Sequence, residues 1–256
     1  MKSPMSREEL RTKGASLRAA LGVAGTQADD EQAPGLAALL DEIAFARVWS
    51  RPGLQARERM LATLSALTSK RYLDALEDYT RAALAMSLKP RAIQEVMIHC
   101  AMYAGLPSAF ESLERVNSIL VAEGLPLPVA DWTPKELVDL FDAGRDMMMT
   151  LHSERAALGY ASAESAAFGL YQSAIDLLYG DIWNRPGLTT RERMVCSIAS
   201  FTALRLESQQ RKFFRSALNV GLSRDEVVEI IGQTAPYSGF APAFGALAIA
   251  DEVLAD

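Results

Sequence analysis

Trp49-Ser-Arg-Pro-Gly-Leu54 recurs 134 residues later as Trp183-Asn-Arg-Pro-Gly-Leu188, and this repeat decides the fold. At the same offset, Arg57-Glu-Arg-Met60 recurs as Arg191-Glu-Arg-Met194. The matches run without a gap from Trp49 to Leu120, although insertions accumulate readily in loops. The sequence therefore predicts two copies of one unit, and such a duplication fixes the architecture before any single residue is interpreted.

Each copy has the sequence pattern of helices. The capping-box sequences Ser6-Arg-Glu-Glu9 and Thr133-Pro-Lys-Glu136 predict the start of the first helix in each copy, and Ser223-Arg-Asp-Glu226 predicts a later start. Apolar residues between these signals recur at spacings of three and four, which is typical of amphipathic helices. We predict an all-α protein with about six helices per copy, divided into units at 1–125 and 126–256. Because both units carry broad apolar faces, we expect them to pack as pseudo-symmetric halves.

The composition restricts the class of protein and its location. A net charge of -6, with basic residues scattered among acidic ones, argues against a nucleic-acid-binding surface. Cys100 and Cys196 form no metal-binding or disulfide motif, and His99 and His152 are too far apart to suggest a metal site. We expect His152 at the surface, at the end of its helix. The N-terminus lacks the apolar core of a signal peptide, and acidic residues interrupt the apolar stretch 159–180, so we expect a cytoplasmic protein without membrane contact.

Six motifs identify the relatives of this chain: Gly180 to Leu188, Arg191-Glu-Arg193, Arg215-Ser-Ala-Leu218, Tyr237-Ser-Gly239, His99-Cys-Ala-Met-Tyr103 and Phe141-Asp-Ala-Gly-Arg145. Together they resemble the carboxymuconolactone decarboxylase family, which shares its helical fold with the alkyl hydroperoxidase D-like proteins. The resemblance spans almost the whole chain, twice. It implies two tandem alkyl hydroperoxidase D-like units, catalysis without metal or organic cofactor, and a homo-oligomer, with a trimer favoured.

The chain departs from this family at positions that usually carry its chemistry. The histidine that the decarboxylases place two residues before Arg-x-Ala-Leu is replaced by Tyr79 and Phe213. The Cys-x-x-Cys pair of the hydroperoxidase branch is absent, and its places hold Tyr72 and Ala75 in copy one and Leu206 and Gln209 in copy two. Without a thiolate there is no nucleophile to attack a peroxide, so we expect no peroxidase activity. The missing histidine weakens the decarboxylase interpretation, although Tyr79 still has a proton to donate.

The Arg-Glu-Arg motif of each copy has two interpretations. It begins a helix after a Pro-Gly turn, where guanidinium groups and the helix N-terminus are suited to hold a carboxylate. On this interpretation the substrate-binding residues are Arg59, Arg193, Glu58, Glu192, Trp49 and Trp183. The alternative is that the charged residues form salt bridges that lock the Trp-x-Arg-Pro-Gly loop, and that the tryptophans wedge the turn into the core.

A second group of candidates shares one helix face. Glu95, His99 and Tyr103 are spaced four residues apart, and the same positions of copy two hold Glu229, Gln233 and Tyr237. A glutamate against His99 would tune a proton donor, whereas the alternative is a core histidine satisfied by its neighbour. The candidate catalytic residues are therefore His99, Tyr79, Tyr103, Glu95 and Tyr237.

The resemblance implies decarboxylation, with double-bond movement, of a small lactone or related unsaturated carboxylic acid. Such a reaction needs a cation to orient the acid, a donor for the developing oxyanion and a proton source for carbon. The candidates for these three roles are, in order, Arg59 or Arg193, Tyr103 or Tyr237, and His99 or Tyr79. Two alternatives remain: a non-decarboxylating isomerase, cyclase or ring-opening enzyme of a specialised pathway that uses the same pocket, and a non-catalytic acid-binding or subunit protein.

Overall fold

The computed structural model describes residues 5–23, 33–127, 133–157 and 164–255. This part of the chain is all-α and contains no strand, as the sequence predicted. The helices of the first unit are α1 (Arg7–Ala20), α2 (Leu36–Leu39, continued by a π-helix over Leu40–Trp49), α3 (Ala56–Lys70), α4 (Leu73–Ala85), α5 (Pro90–Ala104) and α6 (Leu106–Ala122). Those of the second unit are α7 (Leu137–His152), α8 (Glu154–Ala157), α9 (Phe168–Ser173, continued by a π-helix over Ala174–Asp181 and a 3-10 turn over Ile182–Asn184), α10 (Thr190–Leu204), α11 (Glu207–Asn219), α12 (Arg224–Ser238) and α13 (Phe240–Val253). No helix of these ranges is long and apolar enough to cross a bilayer.

Two of the three predicted capping boxes are present. The Ser6 hydroxyl accepts a hydrogen bond from the backbone N–H of Glu9, and the Glu9 carboxylate accepts one from the Ser6 N–H. Ser223 and Glu226 form the same pair at the start of α12. The prediction at Thr133 is wrong, because α7 begins only at Leu137 and has no side-chain cap. Burial decides this boundary: the side chains that pack inward begin one turn into α7, and the residues before it are exposed.

The first helices of the two units dock in the same way, which supports the pseudo-symmetry. Gly14 of α1 lies so close to the π-helix of its unit that a Cβ would be 1.9 Å from the Asp41 carbonyl oxygen. Gly144 of α7 makes the equivalent approach, with 2.1 Å from a Cβ to the Ile175 carbonyl oxygen. Asp41 and Ile175 are related by the repeat offset of 134. Glycine is therefore required at both positions by close packing of backbone against backbone.

The two units interlock through their central helices. Helix α3 packs on α10, α5 of the first unit packs on α10, and α12 of the second unit packs on α3. Arg57 donates to Glu192 over 2.6 Å, and Arg191 donates to Glu58 over 2.9 Å, so the Arg-Glu-Arg motifs pair across the pseudo-twofold axis. Each functional candidate on α5 or α12 therefore faces a helix of the opposite unit.

The Trp-x-Arg-Pro-Gly loops dock onto the same opposite-unit helices. Gly53 and Gly187 have φ angles of 94° and 105°, a region that favours glycine. A Cβ would lie 3.2 Å from Cγ of Glu229 at the first and 3.1 Å from Cγ of Glu95 at the second. Glycine thus lets each loop approach the glutamate that the other unit presents. Of the breaks between helices that the sequence predicts, most of 27–34 and the last residue of 124–128 lie outside the described residues.

Candidate functional site

The interlocked units create two related clusters of polar and aromatic side chains. The Tyr237 site consists of Trp49, Arg59, Tyr79, Gln233 and Tyr237, contributed by the π-helix, α3 and α4 of the first unit and α12 of the second. The Tyr103 site consists of Trp183, Arg193, Phe213, His99 and Tyr103, contributed by α9 and its continuation, α10 and α11 of the second unit and α5 of the first. Every residue of one site is related to a residue of the other by the offset of 134.

In the Tyr237 site the arginines are engaged with a buried glutamate. Glu229 accepts hydrogen bonds from Arg51 over 2.6 Å and from Arg59 over 2.8 Å. Burial opposes ionisation of Glu229, but these hydrogen bonds outweigh it and lower the pKa of the carboxyl. Arg59 also donates to the backbone carbonyl of Arg51 over 2.8 Å. The guanidinium group therefore fastens its own loop to the opposite unit.

The Tyr103 site repeats this arrangement with Glu95. This carboxylate accepts from Arg185 over 3.0 Å and from Arg193 over 2.9 Å, and Arg193 also donates to the Arg185 carbonyl over 2.7 Å. Arg59 and Arg193, the predicted substrate clamp, are buried and hold their loops, because each faces a glutamate of the other unit. The alternative interpretation, salt bridges that lock the loop, describes the contacts of both arginines.

The other predicted substrate-binding residues also have structural contacts. Glu58 and Glu192 pair with the arginines of the opposite unit and accept hydrogen bonds at the starts of α3 and α10. Trp49 and Trp183 are buried in the core. None of these four residues is among the described residues that line the large cavity below.

Hydrogen bonds close the Tyr237 site. Gln233 accepts from Arg59 Nη1 over 3.0 Å and donates to Thr63 Oγ1 over 3.1 Å. The Tyr237 hydroxyl accepts from Trp49 Nε1 over 2.6 Å and shares a 2.7 Å hydrogen bond with the Tyr79 hydroxyl. Burial raises the pKa of Tyr237 to about 12 and raises that of Tyr79 as well. Both phenols therefore stay protonated and use their hydroxyl groups within the protein.

The Tyr103 site contains a chain of three hydrogen-bonded groups. His99 Nε2 lies 2.8 Å from Ser197 Oγ, which in turn lies 3.1 Å from the Tyr103 hydroxyl. Glu95 does not bond to His99, contrary to the hypothesis of a glutamate-tuned histidine, because the arginines draw the carboxylate away. The imidazole ring instead packs edge-on against Trp183, with 4.9 Å between ring centroids.

Two buried nitrogen atoms of Arg193 in the Tyr103 site are unpaired. Within the described ranges, Nε and Nη1 of this arginine have no hydrogen-bond partner. In the other site, Nη1 of the equivalent Arg59 donates to Gln233. An unpaired buried donor costs about 1–3 kcal/mol, so we expect the Tyr103 site to be the less stable of the two.

Burial keeps the imidazole and the phenol of the Tyr103 site neutral. It lowers the pKa of His99 far below the usual range, and the nearby Arg193 guanidinium acts in the same direction. Burial also raises the pKa of the Tyr103 phenol. At neutral pH the site therefore presents an uncharged imidazole and a protonated phenol.

A cavity of about 630 Å³ adjoins the Tyr103 site. Its described lining residues are Met102, Tyr103, Ala167, Leu170, Tyr171, Ser173, Ala174, Leu177, Leu178, Tyr179, Gln209, Lys212 and Phe213. Lys212 is the one charged side chain among them, and its copy-one counterpart is Asp78. Burial and the neighbouring Glu77 raise the pKa of Asp78. The cavity beside Tyr103 therefore carries a cation where the related position beside Tyr79 carries an acid.

His152 was expected at the surface, and the structure corrects this. The side chain is buried at the end of α7, with Nδ1 2.7 Å from Ser216 Oγ and Nε2 3.4 Å from the hydroxyl of Tyr179, which lines the cavity. Burial lowers the pKa of His152 to about 4. The last turn of α7 docks on α11, a contact that the helix sequence alone does not reveal.

Sequence reasoning missed three residues of the Tyr103 site and its cavity. Ser197 joins His99 to Tyr103, and its counterpart Thr63 also carries a hydroxyl, a signal visible when the copies are aligned. Lys212 and Gln209 line the cavity, and the reversal of charge between Lys212 and Asp78 was a second available signal. In the described ranges, no three His, Cys, Asp or Glu side chains group as metal ligands would.

Comparisons with known proteins agree with the duplication. The model of the carboxymuconolactone decarboxylase family matches residues 34–117 and again residues 169–252. A 4-carboxymuconolactone decarboxylase of Acinetobacter baylyi is 35% identical over 78 residues, which are 30% of this chain and 58% of that protein. The nitrosuccinic acid decarboxylase npaB of Metarhizium robertsii is 35% identical over 75 residues, 29% of this chain and 52% of the relative. The chain thus spans little more than half the length of these two relatives.

Proposed function

Because the chain belongs to the carboxymuconolactone decarboxylase family, we propose that it is a decarboxylase-like enzyme whose working site is the Tyr103 site. Its substrate would be a lactone acid or a related unsaturated carboxylic acid. The observation that carries the proposal is the Tyr103 hydroxyl, which lines the large cavity and is linked through Ser197 to His99. The decarboxylases among the relatives support the reaction class.

Lys212 is the residue we assign to the substrate carboxylate. It is the charged group in the described lining of the cavity, and Gln209 one turn earlier on α11 supplies an amide to the same wall. A cation and an amide beside one cavity orient an acid before reaction. We prefer Lys212 to Arg59 and Arg193 because it lines the cavity, whereas the two guanidinium groups hold the loops against glutamates of the opposite unit.

Tyr103 is the catalytic residue of the proposal, and the polarity of its hydrogen bonds directs its proton. If the neutral His99 donates from Nε2 to Ser197, and Ser197 donates to the Tyr103 oxygen, the phenolic proton points to the cavity. As the bond to the carboxylate breaks, its electron pair moves toward the conjugated carbonyl oxygen, which accepts this hydrogen bond. Tyr103 then protonates carbon and recovers a proton from water. Ser197 and His99 are positioning residues.

The reaction is tested with lactone acids and open-chain unsaturated acids that carry a ¹³C label in the carboxylate. We expect labelled carbon dioxide to be released by the unmodified protein, and the Tyr103→Phe variant to lose this activity. If these acids raise the melting temperature of the protein but no product forms, the protein binds them without catalysis, and the proposal is contradicted.

One observation favours the non-decarboxylating alternative. Phe213, which cannot transfer a proton, lines the cavity at the position where the decarboxylases carry a histidine. An isomerase, cyclase or ring-opening enzyme would use the same Tyr103 donor without breaking the carboxylate bond. Formation of a product that retains the whole ¹³C label identifies this alternative.

We also propose that the chain self-associates, and we keep the division into units at residue 125. Helices α6 and α13 each expose two large apolar side chains at related positions, Leu106 with Phe110 and Phe240 with Phe244. Because the same face recurs on both units, a second copy can repeat one contact around a closed ring, as in a trimer. Sedimentation of the intact chain tests this, and a monomer at micromolar concentration would contradict it.

A further inference from the structure

We propose that the acid bound in the Tyr103 site carries an apolar arm, with an aromatic ring beyond the group that bears the carboxylate, held by α9 and its π-helical continuation. The inference rests on the proposed function, because it takes Tyr103 and Lys212 as the groups that hold the acid. It adds a substrate class, since the relatives alone point to no such arm.

Two sets of helices line the cavity, and they differ in polarity. Helices α5 and α11 supply the polar wall, which consists of Tyr103, Gln209 and Lys212 together with Met102 and Phe213. Helix α9, the residue before it and its π-helical continuation supply the mainly apolar wall, which consists of Ala167, Leu170, Ala174, Leu177 and Leu178 together with Tyr171, Ser173 and Tyr179. At about 630 Å³ the cavity lies in the middle of the range that encloses drug-sized ligands. A short acid seated on the polar wall would leave the apolar wall in contact with water.

Exposure of the apolar wall supports the need for a covering group. The side chains of Leu170 and Leu177 are 79% and 50% exposed, although they line a cavity. Removing apolar surface from water is the main source of affinity for a ligand with an apolar part. An arm that extends from the carboxylate across the cavity would bury both leucines.

Aromatic side chains at the cavity favour a flat arm over a flexible alkyl chain. Tyr171, Tyr179 and Phe213 all contribute to the lining. Aromatic rings pair with one another more favourably than their buried area alone predicts. In the first copy the counterparts of Tyr171 and Leu178 are Ala37 and Ala44, so these two bulky lining residues are specific to the Tyr103 site.

The test measures binding of three carboxylates by titration calorimetry: benzoate, 4-biphenylcarboxylate and decanoate. We expect 4-biphenylcarboxylate to bind at least tenfold more tightly than benzoate and more tightly than decanoate. Ala174→Phe fills the apolar wall and Leu177→Gln makes it polar, so each should reduce the tenfold preference to less than threefold.

The matched control is Leu40→Phe, which introduces the same ring at the copy-one counterpart of Ala174 and should leave all affinities unchanged. If Ala174→Phe does not fold, Leu177→Gln carries the test, because half of that side chain is already exposed. Equal binding of benzoate and 4-biphenylcarboxylate would overturn the apolar arm and leave the acid site standing. Tighter binding of decanoate would overturn the aromatic ring, and failure of all three acids to bind would overturn the proposed function itself.

Discussion

The Tyr237 and Tyr103 sites are built from one repeated framework but differ in how their polar groups are hydrogen-bonded. We call the Tyr237 site closed and the Tyr103 site, which adjoins the cavity, open. In the Tyr237 site, Gln233 and the Tyr79 hydroxyl complete the hydrogen bonds of Arg59 and Tyr237. In the Tyr103 site, His99 and Phe213 occupy the same positions, and Nε and Nη1 of Arg193 find no partner in the part of the chain that the structure describes. We expect the closed Tyr237 site to be the more stable, whereas the open Tyr103 site keeps a phenol that lines a cavity. Under the proposed function, this difference means that a duplicated framework keeps one site for stability and the other for catalysis.

The largest expected effect is a difference in activity between variants of Tyr103 and Tyr237. Tyr103→Phe should lower kcat/KM roughly 10²–10⁴-fold, the usual contribution of a positioned proton donor. Tyr237→Phe should leave kcat/KM within about a factor of three but reduce the free energy of unfolding by about 1–3 kcal/mol, because Trp49 and Tyr79 lose a buried partner. Steady-state kinetics and urea unfolding of both variants provide the measurement. Equal losses of activity would show that the sites are functionally equivalent.

The next largest effect is a change in KM, because Lys212 and its copy-one counterpart Asp78 carry opposite charges. Lys212→Asp should raise KM roughly 10–100-fold, since a hydrogen bond to a charged group contributes about 1.5–3 kcal/mol. Asp78→Lys is the matched control and should leave KM unchanged. An unaltered KM in Lys212→Asp would remove this lysine from substrate binding.

His99→Gln converts the open site toward its closed relative and should give opposite changes in activity and stability. We expect kcat to fall about tenfold, because the imidazole no longer fixes Ser197 and through it the Tyr103 proton. The free energy of unfolding should rise by about 1 kcal/mol, since the new amide oxygen can accept from Arg193 Nη1. The reverse change, Gln233→His, should destabilise the closed site without adding activity. A stabilised and fully active His99→Gln variant would contradict the positioning role.

The smallest expected effect is a loss of free energy of unfolding at low pH, caused by the buried His152 near the Tyr103 site. The folded-state pKa of His152 is about 4, below the unfolded value near 6.5, so the unfolded chain binds the extra proton between these pH values. Stability is therefore fully present above about pH 6.5 and falls as the pH drops toward 4, by about 1 kcal/mol per pH unit from this histidine. Urea unfolding at pH 7, 6 and 5 should show a shallower decline for His152→Gln. An identical slope would mean that the buried imidazole does not contribute, and His99 would then carry the effect.

Much of the fold was predictable because it depends on local and periodic signals. The capping boxes at Ser6 and Ser223 and the three- and four-residue apolar spacing set helices that the structure contains. The capping-box sequence at Thr133 does not begin a helix, because the packing of α7 on its neighbours outweighs a local cap. Placing His152 at the surface was wrong for the same reason.

The candidate site was only partly predictable. Spacing correctly placed Glu95, His99 and Tyr103 on one helix face. Spacing could not show that Glu95 accepts hydrogen bonds from two arginines of the other unit, or that Ser197 connects His99 to Tyr103 by hydrogen bonds. These contacts join residues about a hundred positions apart in the chain, which no helical period encodes.

By itself, the sequence determined the duplication, the all-α class and the family, because a repeated motif and a 3.6-residue period are properties of the chain read in one dimension. Only the tertiary structure decided which of two matched sites is open. That choice depends on whether each buried donor finds an acceptor from the opposite unit, and hydrogen-bond partners are set by distances in the folded protein.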